Sequence, residues 1–468
     1  MSDHKRLVHF GIGAFHRGHQ AYYLQKLNEQ LPDEDRWYYT GINLRAETSE
    51  LPSMLKRQNG AYYFKRIAPN GDAEYIQINS IDSIEDASSD VSVIRRVFSC
   101  PNVKALTITV TEGGYYLNDN DELNSEHPEI QHDIEVIRQQ SGQPATLYGY
   151  LAIALLARQK LASGSGSLTV ATCDNLRNNG NRLDNAFKQF VSQAGNDILL
   201  KWTCDNVTFP CSMVDRITPV PPANLVEDVR QATGVSDACP IMGEDFEQWV
   251  IQDSFANEFP PLEKVGVTFT QNVHAYEEAK IRILNGAHFL LSYVGALRGY
   301  VTYDQNVRDP ELNEWLRRYH QNEVIPTIYD RPFDMEDYRS TILSRFGNAY
   351  IADSIERIAM DSISKFPQFV LPTVRLNLER GYMPEAATKL IAHWFAFLSL
   401  LVEKRFRFNY RDPYLYVAEK WMVQEDPVTA FTKDPDIWQG LNKRFPLYSE
   451  TLAKEIRLTL ESYQERYP

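Results

Sequence analysis

Cysteine is scarce in this chain, with five in 468 residues: Cys100, Cys173, Cys204, Cys211 and Cys239. They are odd in number and scattered, with no CxxC pair and no Cys/His cluster. That pattern excludes a disulfide framework and a structural zinc, and it predicts reduced thiols in a cytoplasmic protein. Long apolar runs are missing too: no stretch of eighteen is apparent, so no membrane span is expected. The chain reaches Leu7-Val8-His9-Phe10 without the basic segment and long apolar run of a signal peptide. Positive charge is in deficit, at a formal net −14, which excludes a nucleic acid or an anionic membrane as the main partner. Internal repeats, low-complexity tails and heptads are absent.

What remains is ordinary globular composition, 43% hydrophobic and 24% charged, long enough for two or three domains with substantial cores. Leu7 to Phe10 reads as a short buried strand. Gly11-Ile12-Gly13-Ala14-Phe15-His16-Arg17-Gly18 follows it and leads into the helical pattern Ala21, Tyr22, Leu24, Leu27. In a dinucleotide fold such glycines let the backbone turn tightly and approach a pyrophosphate. His16 stands where the third glycine of GxGxxG belongs, so the motif is incomplete.

Trp37 to Asn43 reads as a second strand, running into Leu44-Arg45-Ala46-Glu47. An acid at the tip of this strand accepts hydrogen bonds from the adenosine ribose and repels a 2′-phosphate, so Glu47 favours NAD over NADP. Arg45, close by, would welcome a phosphate. Tyr62-Tyr63-Phe64 and Tyr75 to Ile78 flank Pro69-Asn70-Gly71-Asp72, which is hairpin chemistry inserted into the nucleotide-binding pattern.

Ala105 to Val110 is a clear strand ending in Thr111-Glu112-Gly113-Gly114-Tyr115. Ligands of open α/β sheets bind beyond the carboxyl ends of strands, so the paired glycines suit close approach of a ligand; a plain tight turn is the other reading. A helix is expected within Gln143 to Leu161, then a flexible connector, Ser163 to Ser167. Strand Leu168 to Cys173 closes on Asp174-Asn175, placed either to contact substrate or to cap the helix around Arg182 to Phe190. Met213 to Pro219 sets Asp215 and Arg216 in an apolar frame, where charges need partners or ligands. Lys264 to Phe269 reads as one more strand, after which the pattern turns helical. The boundary is expected near 270, giving domains 1–270 and 271–468.

The helical half opens on Lys280-Ile281-Arg282-Ile283-Leu284-Asn285-Gly286-Ala287-His288. On a continuous α-helix Asn285 lies about 140° and His288 about 80° round from Lys280, so all three share one broad arc. The axial rise from Lys280 to His288 is about 12 Å, a gap that a sugar-sized ligand bridges. Desolvation lowers the pKa of a lysine, which makes Lys280 a candidate base; a surface lysine beside a core helix is the competing reading. Arg357 and Lys365 add cations near apolar surroundings further on, with ion pairing as their ordinary role.

Together these blocks resemble the polyol-specific long-chain dehydrogenase family, which includes mannitol 2-dehydrogenase, D-arabinitol 4-dehydrogenase and the hexuronate reductases. The resemblance covers nearly the whole chain and rests on GIGAFHRGHQAYY from Gly11, TEGGYY from Thr111, CDN from Cys173, MVDRITP from Met213, YEEAKIRILNGAH from Tyr276 and SKFP from Ser364. It implies an α/β fold: a Rossmann-type NAD-binding domain with an inserted hairpin, followed by a mostly α-helical C-terminal domain. Metal-independent hydride transfer in the cleft between them is the implied chemistry.

On that pattern Lys280 is the catalytic base, and Asn175 and Asn285 stabilise the developing oxyanion. His288, Asp215, Arg357 and Lys365 match positions that hold substrate hydroxyls. The cofactor positions are Gly11, Gly13, Phe15, His16, Arg17, Glu47, Glu112 and Gly113. Thr48 stands where some members carry a second acid. EEAKIRILN, PIMGEDFEQWV from Pro240 and DPVTAF from Asp426 look closer to D-arabinitol 4-dehydrogenase, so D-arabinitol to D-xylulose is the favoured reaction. D-mannitol to D-fructose is the alternative, followed by hexuronate reduction. The expected partners are a small polyol or ketose, with no nucleic acid and no membrane, in a monomer or small homo-oligomer.

Overall fold

A computed structural model describes residues 4–467 except Ser49, Asp119 and Ser163; Ser163, the start of the expected connector, lies outside the described residues. The chain divides into two compact units. The first holds residues up to Ala68 and Asp72–His274, the second Pro69–Gly71 and residues from Ala275 on.

The first unit is built on six parallel strands: β1 (Lys5–Phe10), β2 (Trp37–Asn43), β3 (Ile81–Asp86), β4 (Val103–Ile108), β5 (Leu168–Thr172) and β6 (Val207–Thr208), in the order β3-β2-β1-β4-β5-β6. Parallel strands need crossovers, and helices such as Gln20–Asn28, Ser92–Phe98, Leu147–Arg158 and Asn179–Gln193 supply them on both faces. Both faces are therefore buried. Val8 and Phe10 join one core with Leu106, Leu151 and Phe187, while Leu7 points into the other with Tyr23, Tyr39 and Trp249. This alternation is why the strands read as apolar runs rather than as half-buried stripes.

The hairpin forms as expected, Tyr62–Ile67 against Ala73–Ile78. It also recruits Ile241–Glu244 as a parallel third strand, a long-range pairing with no local signal. Two local expectations give way. The helix after the glycine loop is broken at His19 into Ala14–Gly18 and Gln20–Asn28, and the His19 ring meets the Gln248 carbonyl at 2.9 Å. The strand expected over Lys264 to Phe269 shrinks to Thr268–Thr270, because Leu262–Val265 takes a 3₁₀ turn.

The second unit, described by itself, is helical throughout, and its central helices are Gly286–Arg298 and Glu385–Val402. Its core is aromatic: Trp394 stacks on Phe366 with ring centroids 4.7 Å apart and tilts against Phe289 at 5.6 Å. Truncating such a side chain to alanine costs about 3–5 kcal/mol. Among the described residues one helix, Glu385–Val402, is long and apolar enough to cross a membrane by length and composition alone, with mean hydropathy 1.3. Glu385, Thr388, Lys389 and His393 interrupt it, so it is no unbroken apolar run, and 72% of it is buried inside the protein.

Candidate active site

The order of the sheet fixes where the first unit binds. Connections leave β1 and β4, which are neighbours, towards opposite sides of the sheet, so a crevice opens beyond their carboxyl ends. A pocket of about 260 Å³ lies there. Gly11 to Gly13 form its wall after β1, Asn43 to Arg45 after β2, and Thr109 to Thr111 with Gly114 and Tyr116 after β4.

Gly11 is at φ +94°, and a Cβ there would stand 2.0 Å from the Thr109 carbonyl oxygen, so only glycine closes this turn. Gly13 and Gly113 differ: nothing lies within 4 Å of where their Cβ atoms would be. The open space in front of Gly13, beside the pocket, is the room a ligand needs to reach the main chain.

His16 and Arg17 act from behind the loop. His16 is fully buried and stacks on His9 of β1, ring centroids 3.5 Å apart. The third glycine of a dinucleotide loop serves close helix-to-strand packing; here a ring-on-ring stack takes that place. His9 is fixed in turn by the Thr107 and Thr109 hydroxyls, at 2.7 and 2.8 Å. Burial pushes the pKa of His9 down to about 3 and that of His16 well below the ordinary histidine range, so both rings are neutral.

Arg17 donates to the Cys239 carbonyl at 2.6 Å. Phe15 stacks on His19 at 4.9 Å. Glu47 is exposed outside the pocket wall, which Arg45 and Thr48 line instead. Thr48 donates to the Asn43 side chain at 2.7 Å. Glu112 is exposed.

Asp174 turns out to cap no helix. The helix Asn179–Gln193 begins at Asn178 without a side-chain cap. The Asp174 carboxylate crosses to the end of β4 instead, accepting the Val110 N–H at 3.0 Å, the Thr111 N–H at 2.9 Å and the Tyr115 hydroxyl at 2.8 Å. Burial, the largest cause, raises its pKa to about 6. The backbone it holds is unusual: Thr111 sits at φ 64°, ψ 163°, a region essentially reserved for glycine. For a β-branched residue this costs on the order of 1–3 kcal/mol. Asn175, next in the chain, is exposed. Asp215 is 7% exposed on the strand Ser212–Asp215. Arg216 serves packing, donating to the Glu244 and Gly18 carbonyls at 3.0 and 2.8 Å.

In the second unit Lys280 and Asn285 bound a π-helical turn, Lys280–Asn285, not the regular α-helix assumed from the sequence. Its hydrogen bonds span five residues, so Asn285 stands one such step beyond Lys280 and the angles of an α-helix do not apply. Gly286 does not bend the segment, since its dihedrals are helical at φ −62°, ψ −44°. It permits close packing: a Cβ would lie 2.8 Å from the Tyr319 hydroxyl and 2.9 Å from the Phe369 carbonyl. A second π-turn, Tyr319–Val324, completes the arrangement, with His320 Nε2 2.8 Å from the Ile283 carbonyl.

Lys280 is 7% exposed. The Asn285 side-chain oxygen is buried with no hydrogen-bond partner among the described residues. Arg282, fully buried, donates to Thr373, Glu278 and Thr327 at 2.6 to 2.7 Å.

His288 lies against Tyr303 and Phe346, with Nε2 4.0 Å from Asp353. Arg357 grips the same carboxylate with two nitrogens, Nε at 2.7 Å. Asp353 thus joins two predicted substrate residues, and its i, i+4 spacing to Arg357 was the available signal. Lys365 lies on the helix Ser362–Phe369 and donates to the Met360 carbonyl at 2.6 Å. Among the described residues no group of three or more His, Cys, Asp or Glu side chains is placed to hold a metal.

Family models agree with both halves: the mannitol dehydrogenase Rossmann domain matches residues 5–264 and the mannitol dehydrogenase C-terminal domain matches residues 272–462. The chain belongs to the mannitol dehydrogenase family. Among its relatives, D-arabinitol 4-dehydrogenase of Ralstonia nicotianae is 38% identical over 97% of this chain and 96% of its own length. The D-arabinitol 4-dehydrogenase of Klebsiella pneumoniae is 34% identical over 94% and 95%. The solved Pseudomonas fluorescens mannitol 2-dehydrogenase, a ternary complex with NAD and D-mannitol, superposes with a TM-score of 0.83 at 31% identity, over 99% of this chain and 92% of that one.

Proposed function

We propose that this member of the mannitol dehydrogenase family oxidises D-arabinitol to D-xylulose with NAD, without a catalytic metal, in the cytoplasm. At the coarser level the chain is an NAD-dependent polyol oxidoreductase. The pocket at the switch point fits a dinucleotide, because Gly13 leaves its main chain open to a pyrophosphate. When bound, NAD supplies the nicotinamide ring that accepts a hydride from the carbinol carbon. We assign nucleotide binding to residues 1–270 and substrate chemistry to residues 271–468.

The remaining work falls to the chain. Lys280 takes the proton of the reacting hydroxyl, since an amine drawn out of water is tuned towards accepting one near neutral pH. Asn285 and Asn175 offer amide donors to the charge that builds on oxygen. His288, Asp215, Arg357 and Lys365 hold the other hydroxyls. The observation that carries this reading is the π-turn itself, with a buried amine at one end and an amide oxygen lacking a partner at the other. An amide pairs with a hydroxyl as donor and as acceptor, so a polyol satisfies it.

The similarity to two D-arabinitol 4-dehydrogenases supports D-arabinitol. The likeness to the mannitol 2-dehydrogenase complex supports D-mannitol, oxidised to D-fructose, as the second reading. Initial rates of NADH formation with D-arabinitol, D-mannitol, D-sorbitol and L-arabinitol decide between them: D-arabinitol is expected to dominate. Dominance of D-mannitol moves the chain to the second reading. Silence with all four, and activity on fructuronate or tagaturonate with NADH, overturns the polyol assignment.

A further inference from the structure

We propose that Asp174 is a positioning residue for the dinucleotide: its carboxylate holds the strained turn Val110–Tyr115 in the shape that forms one wall of the nucleotide pocket. The inference rests on the pocket being the NAD site.

The turn would not adopt this shape on its own. Thr111 is β-branched yet occupies backbone space reserved for glycine, and Tyr116, at the far end, is left-handed at φ 47°. Such a conformation persists only where the surroundings over-determine it. Asp174, 8% exposed, does so with both oxygens: one accepts Thr111 N–H, and the other accepts Val110 N–H and the Tyr115 hydroxyl.

The Tyr115 carbonyl is held in turn by the Tyr148 hydroxyl, at 2.5 Å. Val110, Thr111, Gly114 and Tyr116 all face the pocket, so the clamp stands directly behind the wall. The chemistry of the clamp is specific. Two main-chain N–H groups and a hydroxyl all donate, and a carboxylate is acceptor-only. An amide of the same shape would aim an NH₂ at one of those donors. The same clamp also fixes the chain next to Asn175, a proposed oxyanion donor.

The test uses three variants of the full chain, with NADH affinity from fluorescence titration, KM for NAD and for polyol, and the melting temperature. Asp174→Asn is expected to raise the NADH Kd and the KM for NAD about tenfold while leaving the KM for polyol within about twofold. Tyr115→Phe is expected to move the same quantities in the same direction by a smaller factor. Asp174→Asn/Thr111→Gly is the sharpest variant, because glycine takes the dihedrals of the turn without strain and has less need of the clamp. Its NADH Kd is expected to return most of the way to the wild-type value, a rescue that a merely structural role for Asp174 does not produce.

Absence of that rescue overturns the proposal, and so does an Asp174→Asn protein that melts lower but binds NADH as the wild type does. Should Asp174→Asn fail to fold, Tyr115→Phe decides, and normal NADH binding there overturns the proposal. Gly13→Val separates the two levels. If it binds NADH normally, the pocket is not the nucleotide site; if it loses NADH while the other three bind normally, only the clamp is wrong.

Discussion

The pocket of the first unit is lined by three turns of the chain, at Gly11 to Gly13, at the end of β2 and in the strained segment after β4, together with residues such as Leu51, Pro52 and Tyr150. The candidate groups of the second unit are side chains, Lys280 and Asn285 on a π-turn and His288 and Arg357 around Asp353. The contrast follows from what each half is proposed to recognise. A pyrophosphate is met by backbone N–H groups, so what matters is where the chain can bend and how closely it can be approached. A row of hydroxyls and a moving proton need donors, acceptors and a base, which only side chains provide.

That contrast predicts a double dissociation, the largest effect expected. Lys280→Ala should lower kcat about 10²- to 10⁴-fold and leave the NADH Kd within about twofold. Gly13→Val should abolish NADH binding, because the branched side chain fills the space in front of the loop. Titrating both variants with NADH checks the pair; loss of NADH binding in Lys280→Ala, or near-normal turnover, breaks the contrast.

A smaller effect is expected at Asp353, where Arg357 and His288 meet. Asp353→Ala should raise the KM for polyol about tenfold with the KM for NAD unchanged, since two groups proposed to hold hydroxyls lose their shared anchor. Steady-state kinetics with each substrate varied in turn tests this, and a matching rise in the KM for NAD would contradict it.

A last effect, on stability and not on turnover, sharpens the structural side. His320 supports the carbonyl of Ile283 inside the π-turn, and burial lowers its pKa to about 4. The native ring stays neutral while the unfolded chain takes up a proton below pH 6.5. Its contribution to stability is therefore complete above pH 6.5 and is lost as pH falls towards 4. Between pH 7 and pH 5 the loss from this one group is about 2 kcal/mol. Urea unfolding of His320→Gln at both pH values should show a correspondingly smaller drop than the wild type.

Much of the first unit was legible because its signals are local. Leu7 to Phe10, the glycine turn, Trp37 to Asn43 and the Tyr62–Ile78 hairpin each carry their pattern within a few residues. Glu47 shows the limit. The sequence places it after β2 for a ribose contact, and in the structure it is exposed while Arg45 is among the residues that line the pocket. The π-turn was invisible, because a spacing of five hydrogen-bonded residues leaves the same apolar pattern as a regular helix over so short a run. Asp353 had only its spacing to Arg357 to mark it.

The sequence by itself determined the strands, the glycine turn, the helical second half and the family, because these depend on periodicity, on dihedral freedom and on blocks of residues that stay together along the chain. Only the tertiary structure decided that His16 is a packing ring stacked on β1, that Asp174 reaches across to hold Thr111 where a threonine would not otherwise rest, and that Lys280 and Asn285 share a widened turn. Asp174 reaches Thr111 across 63 positions and His320 meets the widened turn across 37, while the His16 stack on His9 needs the fold to bring strand and helix face to face. Burial and hydrogen bonding are settled by what arrives from elsewhere in the fold, and no local pattern records it.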